Sequence, residues 1–157
     1  MFFFKFSNPL IFKSSNPMQT LNLESSSTFL TLIKLMKEEQ HLKLNNAPGS
    51  YMPVIIEFLY HTTMKDKPMK IYSLSHYYKQ NGDLVPDPDM TFAVLNALPT
   101  HPEDLPQIYP LTFQNAIKYD EAVFPEEGIW KVYPKLQADL TVFSDLWLNN
   151  IKHQQNL

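Results

Sequence analysis

An Asn-Gly pair at positions 81 and 82 divides KIYSLSHYYKQNGDLVPDPDMTFAVL (residues 70–95) into two extended, aromatic-rich runs. Asn-Gly best tolerates positive φ at both central positions of a type I′ turn, whose twist matches that of two antiparallel strands. The spacing therefore predicts a hairpin in which Gln80 faces Asp83, Tyr78 faces Val85, His76 faces Asp87 and Leu74 faces Asp89. In that register Pro86 and Pro88 take non-hydrogen-bonded positions, so the N–H each lacks would have pointed away from the hairpin partner. Prolines are tolerated there when that side is a sheet edge.

The 157 residues, 44% hydrophobic and 13% aromatic, suffice for one domain with a core and are too few for two comfortable ones. A formal net charge of −3 disfavours nucleic acid as a partner held by phosphate neutralisation. The absence of cysteine excludes disulfides, thiolate catalysis and Cys-ligated zinc, and fits a cytoplasmic bacterial protein. Three glycines against thirteen prolines leave no Gly-rich loop to cradle a phosphate. No segment approaches the ~20 apolar residues of a membrane-spanning helix, so no membrane association is expected.

Residues 1–24 read as a leader, disordered or loosely packed, ahead of a single domain over residues 25–155. The opening MFFFKFSNPLIFKSSNP mixes apolar residues with lysine, but Lys5 and Pro9 interrupt it. It lacks the uninterrupted apolar stretch of ~7–15 residues and the small-residue cleavage site of a secretory signal. Met18 is an alternative start, since terminal segments order poorly unless tied down.

Helix signals stand at both ends of the remaining chain. Ser25, Ser26 and Ser27 are N-cap candidates, and Phe29, Leu32, Ile33 and Met36 follow at helical spacing. That helix must stop before the turn formers Asn45 to Gly49. Pro134 suits a first helical position, and Leu136, Leu140, Phe143, Trp147 and Ile151 form an apolar stripe expected to be core, in a helix reaching about Lys152. Between them, residues 51–60, the two hairpin runs, 108–117 and 119–124 read as strands, with loops at 98–107 and 125–128. Strands flanked by helices, without βαβ alternation, predict a single α+β domain: a curved, mostly antiparallel sheet packed by an N-terminal and a C-terminal helix.

The segment HYYKQNGDLVPDPDMTF, followed by YPLTFQN and a terminal LWLNNIKHQQ, resembles a family of small bacterial proteins of unknown function carried on conjugative transposons, plasmids and phages. Gly82-Asp83 and Asp87-Pro88-Asp89-Met90 are the most specific part of the likeness, which runs from about Phe29 to Gln155. The resemblance implies a mobile-element accessory protein. It brings no established activity and no catalytic residues.

Two sets of residues are candidates for a site. His76, Asp83, Asp87 and Asp89 form the densest polar constellation, and imidazole with carboxylate oxygens suits a divalent cation. Asp and Asn residues near a turn also serve simply to form local hydrogen bonds and to keep an edge strand soluble. No acidic-x-Lys triplet follows Pro86-Asp87 on a convincing strand, as a large nuclease class requires, and His-Glu-x-x-His and Gly-x-Ser-x-Gly are absent. Ser73 and Ser75 fall on the strand face opposite His76, which disfavours a Ser–His dyad. The second set is aromatic: Tyr72, Tyr77 and Tyr78 offer rigid apolar bodies with polar tips, a combination enriched in binding surfaces, with core packing as the competing role. The reading that results is a non-enzymatic accessory protein acting on a protein partner, with no catalytic residues, cofactor or metal assigned. A metal-dependent hydrolase or nuclease centred on the His/Asp cluster is the alternative.

Overall fold

Asn22 opens the first helix: its side-chain oxygen accepts from the Ser25 backbone N–H at 2.8 Å, satisfying one of the donors a helix start leaves free. The computed structural model describes residues 9–11, 18–96, 101 and 105–157. The element order is β1 (Leu10–Ile11), α1 (Leu23–Met36), β2 (His41–Leu44), β3 (Val54–Met64), β4 (Lys67–Gln80), β5 (Asp83–Leu95), β6 (Gln107–Gln114), β7 (Tyr119–Glu121), β8 (Val123–Glu126), β9 (Ile129–Val132) and α2 (Pro134–Gln154). Strands β2 to β7 form one open antiparallel sheet in chain order, and β1, β9 and β8 form a smaller one. The result is a single α+β domain.

Both helices pack on one face of the large sheet. Phe29 of α1 lies 4.9 Å from the Phe92 ring centroid and 6.2 Å from that of Tyr72. From α2, Trp147 meets His76 edge-on at 5.5 Å and Phe143 meets Phe113 at 5.3 Å. Phe29, Leu32, Ile56, Leu74, Met90, Ile108, Leu140 and Leu148 are fully buried in this layer. Each such side chain contributes about 1.5–3 kcal/mol of transfer free energy, which makes the helix–sheet layer the main source of stability. The α2 stripe is core as expected, although Phe143 is only partly buried.

The hairpin turn forms as predicted, with positive φ at both Asn81 and Gly82 and pairs Gln80–Asp83 and Tyr78–Val85. Beyond Tyr77–Pro86 the register shifts. Ser75 pairs with Asp89 and Leu74 with Met90, so His76 stands opposite two residues, Asp87 and Pro88, joined by a cis peptide bond. This β-bulge overturns the expected His76–Asp87 and Leu74–Asp89 pairs, because one extra residue shifts every later pairing by one. The edge expected for the prolines is present: β6 pairs with β5 from Asp89 onward, leaving Pro86 and Pro88 on a stretch without a β6 neighbour.

Other expectations need correction. The first helix starts at Leu23, so Ser25 to Ser27 lie inside it and Asn22 is the cap. Its end at Met36 falls before Asn45 as expected, where Lys37 turns to φ 55, but residues 41–44 then form the unpredicted edge strand β2. The 119–124 strand breaks into β7 and β8, and Ile129–Val132 adds β9. Of the residues read as a leader, 1–8 and 12–17 lie outside the described residues. Leu10 and Ile11 pair with β9, and the Leu21 N–H donates to Ile108 O at 2.9 Å. Most of the 98–107 loop also lies outside the described residues.

Candidate functional site

The bulge decides which face Asp89 occupies. Tyr72, Leu74 and His76 point to the helices, so Ser73, Ser75 and Tyr77 point to the other face, and Asp89, paired with Ser75, joins them. There the Tyr77 hydroxyl donates to Asp89 Oδ2 at 2.7 Å. The register places two cross-strand rows on this face: His41, Glu57, Ser73, Thr91, and beside it Lys43, Ile55, Ser75, Asp89. Side chains of these rows, with Tyr77, Lys79 and Leu84, line a groove of about 420 Å³.

The groove is electrostatically strained. Burial raises the Asp89 carboxyl above its ordinary value, and the Glu57 charge adds to this against the opposing effect of the Tyr77 hydrogen bond. The Tyr77 phenol is pushed up to about 12, first by burial and then by its bond to Asp89 and the charges of Asp89 and Glu57. Glu57 has a neighbour of its own, since His41 Nε2 lies 3.6 Å from its Oε1. A carboxylate that has lost water and accepts one neutral O–H retains capacity for a cationic donor.

The four residues of the polar constellation are not brought together. His76 is buried under α2, where the Trp147 indole N–H donates to its Nδ1 at 3.4 Å, and its Nε2 has no partner among the described residues. Burial lowers the His76 pKa, partly offset by the Asp87 charge, and an Nδ1 that accepts from Trp147 carries no proton. Asp87 is exposed beside the bulge, Asp83 is exposed at the hairpin tip, and Asp89 is on the opposite face from His76. Among the described residues no three His, Cys, Asp or Glu side chains gather in a way that could hold a metal ion.

The three tyrosines also separate. Tyr72 is buried against Phe29 and Phe58 on the helix face, so its ring is core rather than part of an exposed aromatic surface. Tyr77 is half-buried in the groove, and Tyr78 is half-buried on the strand face opposite it. Glu57, His41 and Lys43 were missed from sequence. Glu57 carries a signal, being the single charge in YMPVIIEFLY, but its neighbours across the sheet depend on β2, which local pattern did not reveal.

Fold and site together define a small α+β protein with helices on one face of an open antiparallel sheet and a mixed-charge groove on the other. Residues 24–157 match the family described as Domain of unknown function (DUF6908), and the chain belongs to that family. No curated protein and no solved structure matches it. Among the described residues no helix is long and apolar enough to cross a membrane.

Proposed function

We propose that this chain is a non-enzymatic accessory protein of a bacterial mobile genetic element, acting in the cytoplasm on a protein partner, with antagonism of host defence as one form of that action. The mobile-element part is supported by the sequence resemblance centred on Gly82 to Met90. The partner-binding part is carried by the row Lys43, Ile55, Ser75, Asp89, which puts a cation at one end of the groove, a desolvated carboxylate at the other and small or apolar side chains between. Four strands at about 4.8 Å spacing make that row about 14 Å long, the reach of about four residues of extended chain. The complementary ligand is a segment of a partner protein with a basic side chain for Asp89 and an acidic one about four residues away for Lys43.

Selection from a random peptide display library tests this directly. Enriched peptides are expected to carry a basic and an acidic residue at that spacing and to bind about tenfold more weakly to Asp89→Asn and to Lys43→Gln, since charged-group hydrogen bonds are worth about 1.5–3 kcal/mol. Enrichment without the charge pair, or affinities that ignore both substitutions, would overturn the reading.

A further inference from the structure

A second cleft, of about 340 Å³, opens on the helix side of the sheet between the C-terminal end of α1 and the β3–β4 ladder. Its construction depends on another β-bulge. Phe58 pairs with Tyr72 and Tyr60 with Ile71, so Leu59 is an extra residue in β3. In a regular strand Phe58 and His61, three apart, would face opposite ways; the bulge brings both to this cleft, where their rings lie 4.9 Å apart. His61 pairs with Lys70 across the ladder, and Lys34 and Lys37, three apart on the end of α1, stand over the same opening.

The charge of this cleft is opposite to that of the whole chain. Lys34, Lys37 and Lys70 line it against one carboxylate, Glu39, whereas the formal net charge of the protein is −3. These three lysines take no ion-pair partner among the described residues. The floor is aromatic, with Phe58 and Tyr72 rings 5.6 Å apart. Tyr72 is only 4% exposed, lines the cleft, and its hydroxyl has no hydrogen-bond partner among the described residues. A helix C-terminus carries about half a negative charge, which one lysine in the last turn suffices to complement, so the remaining cations exceed what α1 requires.

We infer that this cleft binds a small anion bearing a planar ring, of the nucleoside diphosphate class, with the phosphates on Lys34, Lys37 and Lys70 and the ring against Phe58 and His61. The volume lies at the small end of the range for ligand pockets, and a planar ring gains both apolar burial and stacking on such a floor. The unpartnered Tyr72 hydroxyl supplies an orienting donor. This site is on the opposite sheet face from the Tyr77 groove and stands independently of what that groove binds.

Titration of the isotope-labelled protein with each of the four ribonucleoside diphosphates, followed by amide NMR shifts, tests the inference. Saturable shifts are expected at Lys37, His61 and Lys70 for at least one nucleotide, with at least tenfold weaker binding of its nucleoside alone and of inorganic phosphate alone. The paired exposed substitution Lys34→Gln with Lys37→Gln should weaken binding at least tenfold. Tyr72→Phe, which keeps the buried ring, should weaken it several-fold. Absence of saturable shifts with all four nucleotides at millimolar concentration would overturn the inference, as would affinity unaffected by the lysine pair.

Discussion

The Tyr77 hydroxyl reaches Asp89 at 2.7 Å although a regular hairpin would set these two residues on opposite faces of the sheet. The extra residue at Asp87-Pro88 reverses the face of Asp89 and takes its charge out of the helix-packed layer. Left in the original register, Asp89 would replace Met90 opposite Leu74, beneath α2, where an unpaired carboxylate is expensive.

Burial, and after it that bond and the neighbouring carboxylate charges, makes the Tyr77 proton hard to remove. With its pKa pushed up from 10.0 to about 12, the folded state holds the proton more tightly than the unfolded chain. The resulting stabilisation is present below pH 10 and lost as pH rises through about 12. In a tyrosinate absorbance titration, Asp89→Asn should bring one phenol to ionise at lower pH, and Tyr77→Phe should remove a late-titrating phenol. If Tyr77→Phe deletes a phenol of ordinary pKa instead, the bond to Asp89 does not form in solution.

His76 predicts the opposite pH direction. Its folded pKa lies below 6.5, principally because of burial. As pH falls through 6.5 the unfolded chain takes up the proton first, so stability is full above about pH 7.5 and declines until pH reaches the folded value. Protonation also puts a hydrogen on Nδ1, where the Trp147 indole already points its own. Urea denaturation between pH 7.5 and 5.5 should therefore show a steeper loss for the unmodified protein than for His76→Gln, which does not titrate there. Parallel slopes would place His76 in contact with solvent.

The turn supplies a third test. Gly82 has φ +86, and a Cβ built there meets no atom within 4 Å, so any penalty for a side chain is conformational rather than steric. Gly82→Val should cost about 1–2 kcal/mol, the strain of a branched residue in the left-handed region. Lys79→Gln, exposed in the same hairpin, should be near neutral. Equal melting temperatures for the two variants would contradict the type I′ turn.

Features governed by short-range chemistry were legible: the Asn81-Gly82 turn, the α2 stripe and the order of helix, strands and helix. The bulge opposite His76 was not, because two residues facing one cost no local pattern. The alternation of LVPDPDM is broken by proline in either register, and the choice was made by what Asp89 would meet across the sheet. Strand β2 escaped for a related reason. HLKL is short and polar at alternate positions, and it becomes a strand through pairing with β3. The groove depended on both of these, so Tyr77 and Asp89 could be named from sequence while Glu57, His41 and Lys43 could not be joined to them.

Gln137 gives a final prediction, for a residue that the apolar stripe did not select. It is fully buried in α2; its Nε2 donates to Gln19 O at 2.8 Å, and its Oε1 accepts from Gln19 N–H at 2.7 Å. One side chain thus satisfies both backbone groups of Gln19, in the manner of a neighbouring strand, and ties the segment before α1 to the start of α2. Gln137→Leu keeps much of the volume but leaves these groups without partners, for an expected loss of about 1–3 kcal/mol. The loss should be accompanied by faster amide hydrogen exchange at Gln19, while the Leu21 amide, bonded to Ile108 O, remains protected. If Gln19 exchanges equally fast before and after the substitution, Gln137 does not hold this segment and its burial serves packing alone.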